Sequence, residues 1–302
     1  MNKEDLSALV AQLLQEMGQA PQVKATEYHA YVPEPQPKDL HYQDGDFVDD
    51  VTKLDLRRLY LVDSPADAQG YRLLKEKTPA RLGFGRAGPR YKTLTQLRFR
   101  ADHAAAQDAV FSELPDDFGQ KHGLISLRSK CRDKDEYLTR PDLGRTFDEE
   151  NQKKLSQQIT GQPRVLLVVG DGLSGAAIAA NAADCMAAIE DGLKMRNIPL
   201  GKGIFVKYCR VGASDAIGDI TGCELVCMLV GERPGLVTDK SMSVYLTYKP
   251  HTGIAESCRT VVSNIHAQGT PAVEAGAYVA ELIDTILKRR VSGVALHAQV
   301  NA

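Results

Sequence analysis

Two stretches of this 302-residue chain space three glycines as G-x-G-x-x-G, the pattern that aims helix N–H groups at a pyrophosphate. In "VLLVVGDGLSGAAIAAN" they are Gly170, Gly172 and Gly175; in "LGFGRAGPR" they are Gly83, Gly85 and Gly88. The Gly83 copy has Pro79 and charged residues where a strand should lead in, and Pro89 directly after it. It reads as a loop whose Arg86 and Arg90 meet an anion or a partner, or simply face water. The Gly170 copy has the required context of strand, turn and helix, but it puts Asp171 where a pyrophosphate would sit. Its β-α-β unit, about 164 to 212, exceeds the roughly 30 residues of the motif, and the second strand ends on Arg210 instead of an acid. A dinucleotide fits there only as NADP with Arg210 on the 2′-phosphate. A stand-alone NADP-dependent oxidoreductase using the Gly170 to Gly175 turn is therefore the alternative reading.

A second pattern is convergence. Short apolar runs end in "GDGLS" (170 to 174), "RVG" (210 to 212), "GERPG" (231 to 235) and "SNIHAQG" (263 to 269). In a doubly wound sheet, ligands bind outside the carboxyl ends of the strands, so these turns would line one rim. They offer flexible backbone at Gly172, the polar side chains Asp171, Ser174, Arg210 and Glu232, and apolar Val211. Carboxylates and carbonyls accept from amide N–H groups, so the rim suits a large, flat, amide-fringed ligand better than a phosphate. Glu232 has a competing role in a turn ion pair with Arg233, and Asp171 in capping a helix.

The elements that must hold this rim follow from periodicity. From Arg164 the chain alternates "VLLVV", "GIFVKYCRV", "CELVCMLV", "SMSVYLTY" and "TVVSNI" with helical stretches, the last opened by Thr270 and Pro271. That grammar predicts an α/β fold, a Rossmann-like, doubly wound, mainly parallel sheet over 161–302. Residues 46–160 read as a small helical domain. Ser64, Pro65 and Asp67 open one helix; Thr93 and Gln96 open another, with Leu94, Leu97, Ala101, Ala104 and Phe111 on one face. At the start, Leu6, Leu9, Val10, Leu13, Leu14 and Met17 give an amphipathic helix over 1–18, tethered by a linker at 19–45 that carries Pro21, Pro33, Pro35 and Pro37. An apolar helix face on a tether suits a docking peptide.

Bulk composition names no partner. Thirty-seven basic against 39 acidic residues leave a net charge of −2, with no general pull on nucleic acid or anionic lipid. Six cysteines contain no C-x-x-C pair, as in a reducing compartment. No apolar run reaches membrane-spanning length, and "ALVA" beside Glu4 and Asp5 is too short for a secretory leader, so a soluble intracellular protein is expected.

The motifs "LGFGRAGPRYKT", "ADH", "YLTRPDLGR", "DGLS", "LVGERPGL" and "SNIHAQGTPAVEA" stand in an order that resembles the small-subunit family of ethanolamine ammonia-lyases, over roughly 75 to 292. The resemblance implies a light chain that joins a larger TIM-barrel subunit, with adenosylcobalamin between the two. Such enzymes convert ethanolamine to acetaldehyde and ammonia through a radical, and that chemistry belongs to the large subunit, so no catalytic residue is expected here. The implied cofactor contacts fall on Val211, Glu232 and Val261, the last through backbone or apolar contact. The resemblance also implies six small and six large subunits, and a place in the bacterial cytoplasm inside a protein-shelled microcompartment, for which the 1–18 helix would be the packaging signal. "NIHAQG" nearly matches the D-x-H-x-x-G motif of proteins that ligate cobalt through histidine. Asn264 replaces the acid that would orient His266, so the cofactor is expected to keep its own benzimidazole as lower ligand. Deleting residues 1–20 is expected to leave turnover of an assembled enzyme intact and abolish encapsulation, measured by co-purification with shell; loss of turnover would contradict the packaging role.

Overall fold

A computed structural model describes residues 50–78 and 80–300; the helix expected at 1–18 and the linker expected at 19–45 lie outside them. The described chain opens with a 3-10 turn (Val51–Lys53), followed by helix α1 (Ala68–Glu76), a short hairpin (Arg86–Ala87 with Arg90–Tyr91) and helix α2 (Thr93–Phe111). A single turn of helix, α3 (Phe118–Lys121), leads to strand β1 (Ile125–Arg128), then α4 (Lys134–Thr139) and α5 (Glu149–Gln158). Strands and helices then alternate: β2 (Val165–Gly170), α6 (Gly175–Met195), β3 (Ile204–Lys207), α7 (Ala213–Thr221) and β4 (Leu225–Gly231). Strands β5 (Met242–Tyr248) and β6 (Arg259–Ile265) and helices α8 (Ala272–Arg289) and α9 (Val294–Val300) complete it.

The six strands form one sheet in the order β1-β3-β2-β4-β5-β6. Four of them, β1 to β4, pair in parallel, whereas β5 runs antiparallel to both β4 and β6. The sheet is therefore mixed. The segment between Gly231 and Met242 holds no helix, and without a crossover the chain must return beside β4 in the opposite direction.

Central strand β2 shows why both faces must be covered: every residue of "VLLVVG" is buried. Val165, Leu167 and Val169 enter a core with Ile178, Cys185 and Ile189 of α6 and Val279, Ile283 and Ile286 of α8. The alternate residues, Leu166 and Val168, pack with Leu155 of α5 and Ile217 of α7 on the other face.

The chain from Asp50 onward is one compact unit, and β1, inside the stretch read as helical, supplies a sheet edge by pairing with β3. Helix α1 is capped by Asp67, which accepts from the Gly70 N–H at 2.8 Å, and not by Ser64. In α2, Leu97 and Phe111 of the shared apolar face are exposed, while Thr95 and Ala109 are the buried residues. Thr95 donates to the Phe84 carbonyl (2.6 Å), and Arg98 donates to the carbonyls of Val51, Thr52 and Leu54, so polar contacts set the orientation of α2.

Two substitutions separate these roles. Leu166→Ala, in the doubly covered strand, is expected to lower the unfolding free energy by about 2–5 kcal/mol in urea melts. Phe111→Ala in the unassembled chain should stay within about 0.5 kcal/mol of the parent, and a core-sized loss there would mean that Phe111 is packed and not exposed.

Candidate functional site

The rim at the carboxyl ends of the strands is built on the turn after β2. Asp171, only 2% exposed, accepts from the Tyr208 N–H at 2.8 Å and the Cys209 N–H at 2.9 Å, one on each carboxylate oxygen. Burial pushes its carboxyl pKa up, while the Cys209 and Tyr208 amides and the nearby Lys134 ammonium pull the other way. Lys134 is itself buried, which lowers its pKa. Gly172 has φ +61°, and a Cβ there would lie 2.2 Å from the Gly231 carbonyl oxygen, so the turn lies directly against the end of β4. The Leu173 N–H donates to that same carbonyl (2.9 Å). Ser174 is fully buried; its hydroxyl accepts from the Ala177 N–H (3.0 Å), capping α6, and donates to the Asp239 carbonyl (2.8 Å).

Sequence reasoning placed Asp171, Gly172 and Ser174 among ligand-facing residues. The structure turns both polar side chains inward and uses them, with Gly172, to bind three strand ends together. The first amides of α6 are also occupied, Ala176 by the Ser112 hydroxyl (3.3 Å) and Ala177 by Ser174.

Arg210 follows β3. Its guanidinium lies over the Tyr137 ring, 4.2 Å from the centroid, and donates to the Tyr137 carbonyl (2.8 Å). Its Nε is buried without a partner. Arg210 lines a groove of about 410 Å³ with His103 and Val110 of α2, Leu173, and Arg233 to Leu236.

The remaining expected contacts lie on the sheet face that carries α5 and α7. Val211 is half-buried and packs on that core, as does Tyr245 of β5. Glu232, half-buried, has its backbone fixed by donation to the Ser241 carbonyl (3.0 Å). Its Oε1 accepts from the Tyr245 hydroxyl at 2.7 Å, so its partner is Tyr245 in place of the Arg233 weighed from sequence. Val261 of β6 is 45% exposed and stands opposite Tyr245 in the β5/β6 register. Tyr245 thus joins Glu232 and Val261 and packs on the same core as Val211, and sequence reasoning missed it, because in "SMSVYLTY" it is one aromatic residue in an apolar strand and only the register reveals its neighbours.

Beneath Val261, Arg259 is buried in a two-pronged ion pair with Asp215 of α7 (both contacts 2.8 Å), with Glu256 at 2.8 Å on Nε. Burial opposes its charge, but Asp215 and Glu256 outweigh that and raise its pKa. His266 is also buried, which lowers its pKa. Its Nδ1 accepts from the Gln268 N–H (3.2 Å), so the ring proton sits on Nε2 and is donated to Asn264 Oδ1 (2.8 Å). Both ring nitrogens are engaged within the loop. Among the described residues no group of three or more His, Cys, Asp or Glu side chains is placed to hold a metal ion, and no helix is long and apolar enough to cross a membrane.

Comparison with known proteins gives one consistent result. The family model described as ethanolamine ammonia-lyase light chain matches residues 68–297. The protein called ethanolamine ammonia-lyase small subunit in Clostridium perfringens is 51% identical over 296 residues, which is 98% of this chain and 100% of that protein. The proteins of the same name in Clostridioides difficile and Listeria monocytogenes are 52% identical over 297 residues and 51% identical over 296 residues, again covering 98% of this chain and all of theirs. The likeness therefore reaches into the stretch before residue 50.

Asp171→Asn is expected to cost about 1–3 kcal/mol of unfolding free energy in urea titration, because the amide group turns a donor toward the Tyr208 or Cys209 N–H and leaves it unpaired. Unchanged stability would mean that the carboxylate is not the tie.

Proposed function

Because this chain belongs to the ethanolamine ammonia-lyase light-chain family and is thus a subunit of a lyase, we propose that its task is to present Val211, Glu232 and Val261 to adenosylcobalamin at the interface with a large subunit. The observation that carries this reading is that three residues, distant in sequence, share one face of the sheet, Glu232 bonded to Tyr245, Val261 opposite it and Val211 on the same core. The donor set suits the cofactor. Glu232 has one oxygen bonded to Tyr245 and a second able to accept an amide N–H, and Val261 offers exposed apolar surface. Buried polar atoms normally have partners, and two of the three side-chain atoms that lack one among the described residues, Arg210 Nε and Ser243 Oγ, belong to the end of β3 and to β5 beside this rim.

In the assembled enzyme the cofactor supplies the radical that starts conversion of ethanolamine to acetaldehyde and ammonia, with catalytic groups on the large subunit. This chain's residues bind and orient. Asp171, Gly172 and Ser174 fix the rim, and Arg210 borders it. The cofactor keeps its own benzimidazole, in keeping with the engagement of both His266 nitrogens inside their loop. The same reading carries six small with six large subunits, a Rossmann-like kinship for the parallel half of the sheet, and residence in a microcompartment of the bacterial cytoplasm through residues 1–18. The NADP reading has less support: the Ala176 and Ala177 amides that would meet a pyrophosphate are already bonded, and Arg210 is held on Tyr137.

The test is reconstitution. The chain, a large subunit of the same family, adenosylcobalamin and ethanolamine are mixed, and acetaldehyde is measured with the cob(II)alamin absorbance. Turnover is expected only with both chains present, and Glu232→Ala should weaken cofactor binding about tenfold or more, as for loss of a hydrogen bond to a charged group. NADPH binding by the chain alone, with no turnover in the mixture, would favour the oxidoreductase instead.

A further inference from the structure

The Glu232 carboxylate is useful to a ligand only if it is held in place, and the backbone accounts for part of that. β4 and β5 are paired from Leu225 with Tyr248 to Gly231 with Met242, and the Glu232 N–H bonded to Ser241 continues the pairing by one residue. What remains mobile is the side chain. Glutamate is among the residues that lose most rotamer freedom on being ordered, so a free Glu232 would subtract that loss from any contact it makes. The Tyr245 hydroxyl removes that freedom in advance, at 2.7 Å from Oε1. Tyr245 is itself fixed, by strand pairing on both sides (Met228 and Val261) and by packing against the core that holds Val211. Burial raises the Tyr245 pKa, as does the hydrogen bond to Glu232, so the phenol stays a donor across the neutral range.

We propose that Tyr245 is a positioning residue for the cofactor: it holds one Glu232 oxygen so that the other is set to accept from an amide of the corrin rim. This rests on the reading that Glu232 meets adenosylcobalamin. Tyr245 acts through Glu232, and its ring contributes separately to the fold.

The test uses the chain assembled with its large subunit and four versions of residues 232 and 245: the parent, Tyr245→Phe, Glu232→Ala and the double variant. The dissociation constant of adenosylcobalamin is measured by equilibrium dialysis, and kcat and the cofactor KM by acetaldehyde release. Tyr245→Phe keeps the ring and should melt with the parent. It is expected to weaken binding about tenfold, the cost of one hydrogen bond to a charged group, with kcat unchanged at saturating cofactor. In the Glu232→Ala background it should add nothing. If Glu232→Ala weakens binding but Tyr245→Phe does not, or if the loss from Tyr245→Phe is as large in both backgrounds, Tyr245 does not act through Glu232 and the proposal falls alone. If Glu232→Ala binds cofactor like the parent, the reading of Glu232 fails and takes the proposal with it.

Discussion

A carboxylate cut off from water must find its dipoles inside the fold, and Asp171 finds them in the main-chain N–H groups of Tyr208 and Cys209. The rest of the rim depends on this contact. Tyr208 sits at φ +57°, a conformation that non-glycine residues seldom adopt, and its amide is one of the two that Asp171 holds. The Tyr137 hydroxyl reinforces the bend by donating to the Cys209 carbonyl (3.0 Å), and the Arg210 N–H donates to the Gly144 carbonyl (2.9 Å). The direction in which the chain leaves β3, and with it the place of Val211 and the start of α7, is thereby set from the neighbouring strand.

The same division of labour recurs around the rim. Each residue proposed to meet the cofactor stands one or two positions from a buried tie: Val211 follows the amides held by Asp171, Glu232 follows Gly231, and Val261 follows Arg259. The ties differ chemically. The first is a carboxylate on two amides, the second a close glycine-to-backbone approach, and the third a buried ion pair between β6 and α7. In each, the polar group that fixes the geometry is buried and the residue offered outward is half-buried or exposed. Specific buried polar contacts of this kind are costly to leave half made, which restricts the rim to one arrangement.

What the sequence made legible has a common physical origin. Long apolar runs and 3.6-residue spacing report burial by large elements, so β2 to β6, α6 and α8 are readable from composition alone, and the strand, turn and helix around Gly170 identify the turn. Edge strand β1 is four residues long and shows only Ile125 and Leu127 in alternation, too little signal between helices to stand out. The antiparallel return of β5 depends on the absence of a helix, which periodicity marks weakly. Asp171 was legible as a residue of interest but not by role. An acid in a glycine turn looks the same whether it faces solvent or folds under, and what decides is the two amides about 37 residues away. Tyr245 was invisible for the same reason, since its meaning comes from register and not from its own neighbours.

The two borders of the sheet also bear on what becomes of the chain between synthesis and assembly. An open strand edge presents unpaired backbone groups that other copies can extend, and long, flat edges do this best. Here β1 is short, and β6 is interrupted near its end by a register shift opposite Met242 and Val244 and by Asn264 at φ +63°. Among the described residues neither border offers a long straight ladder. The fold thus resists edge-to-edge aggregation by its own geometry, whether or not a partner has yet covered its surface.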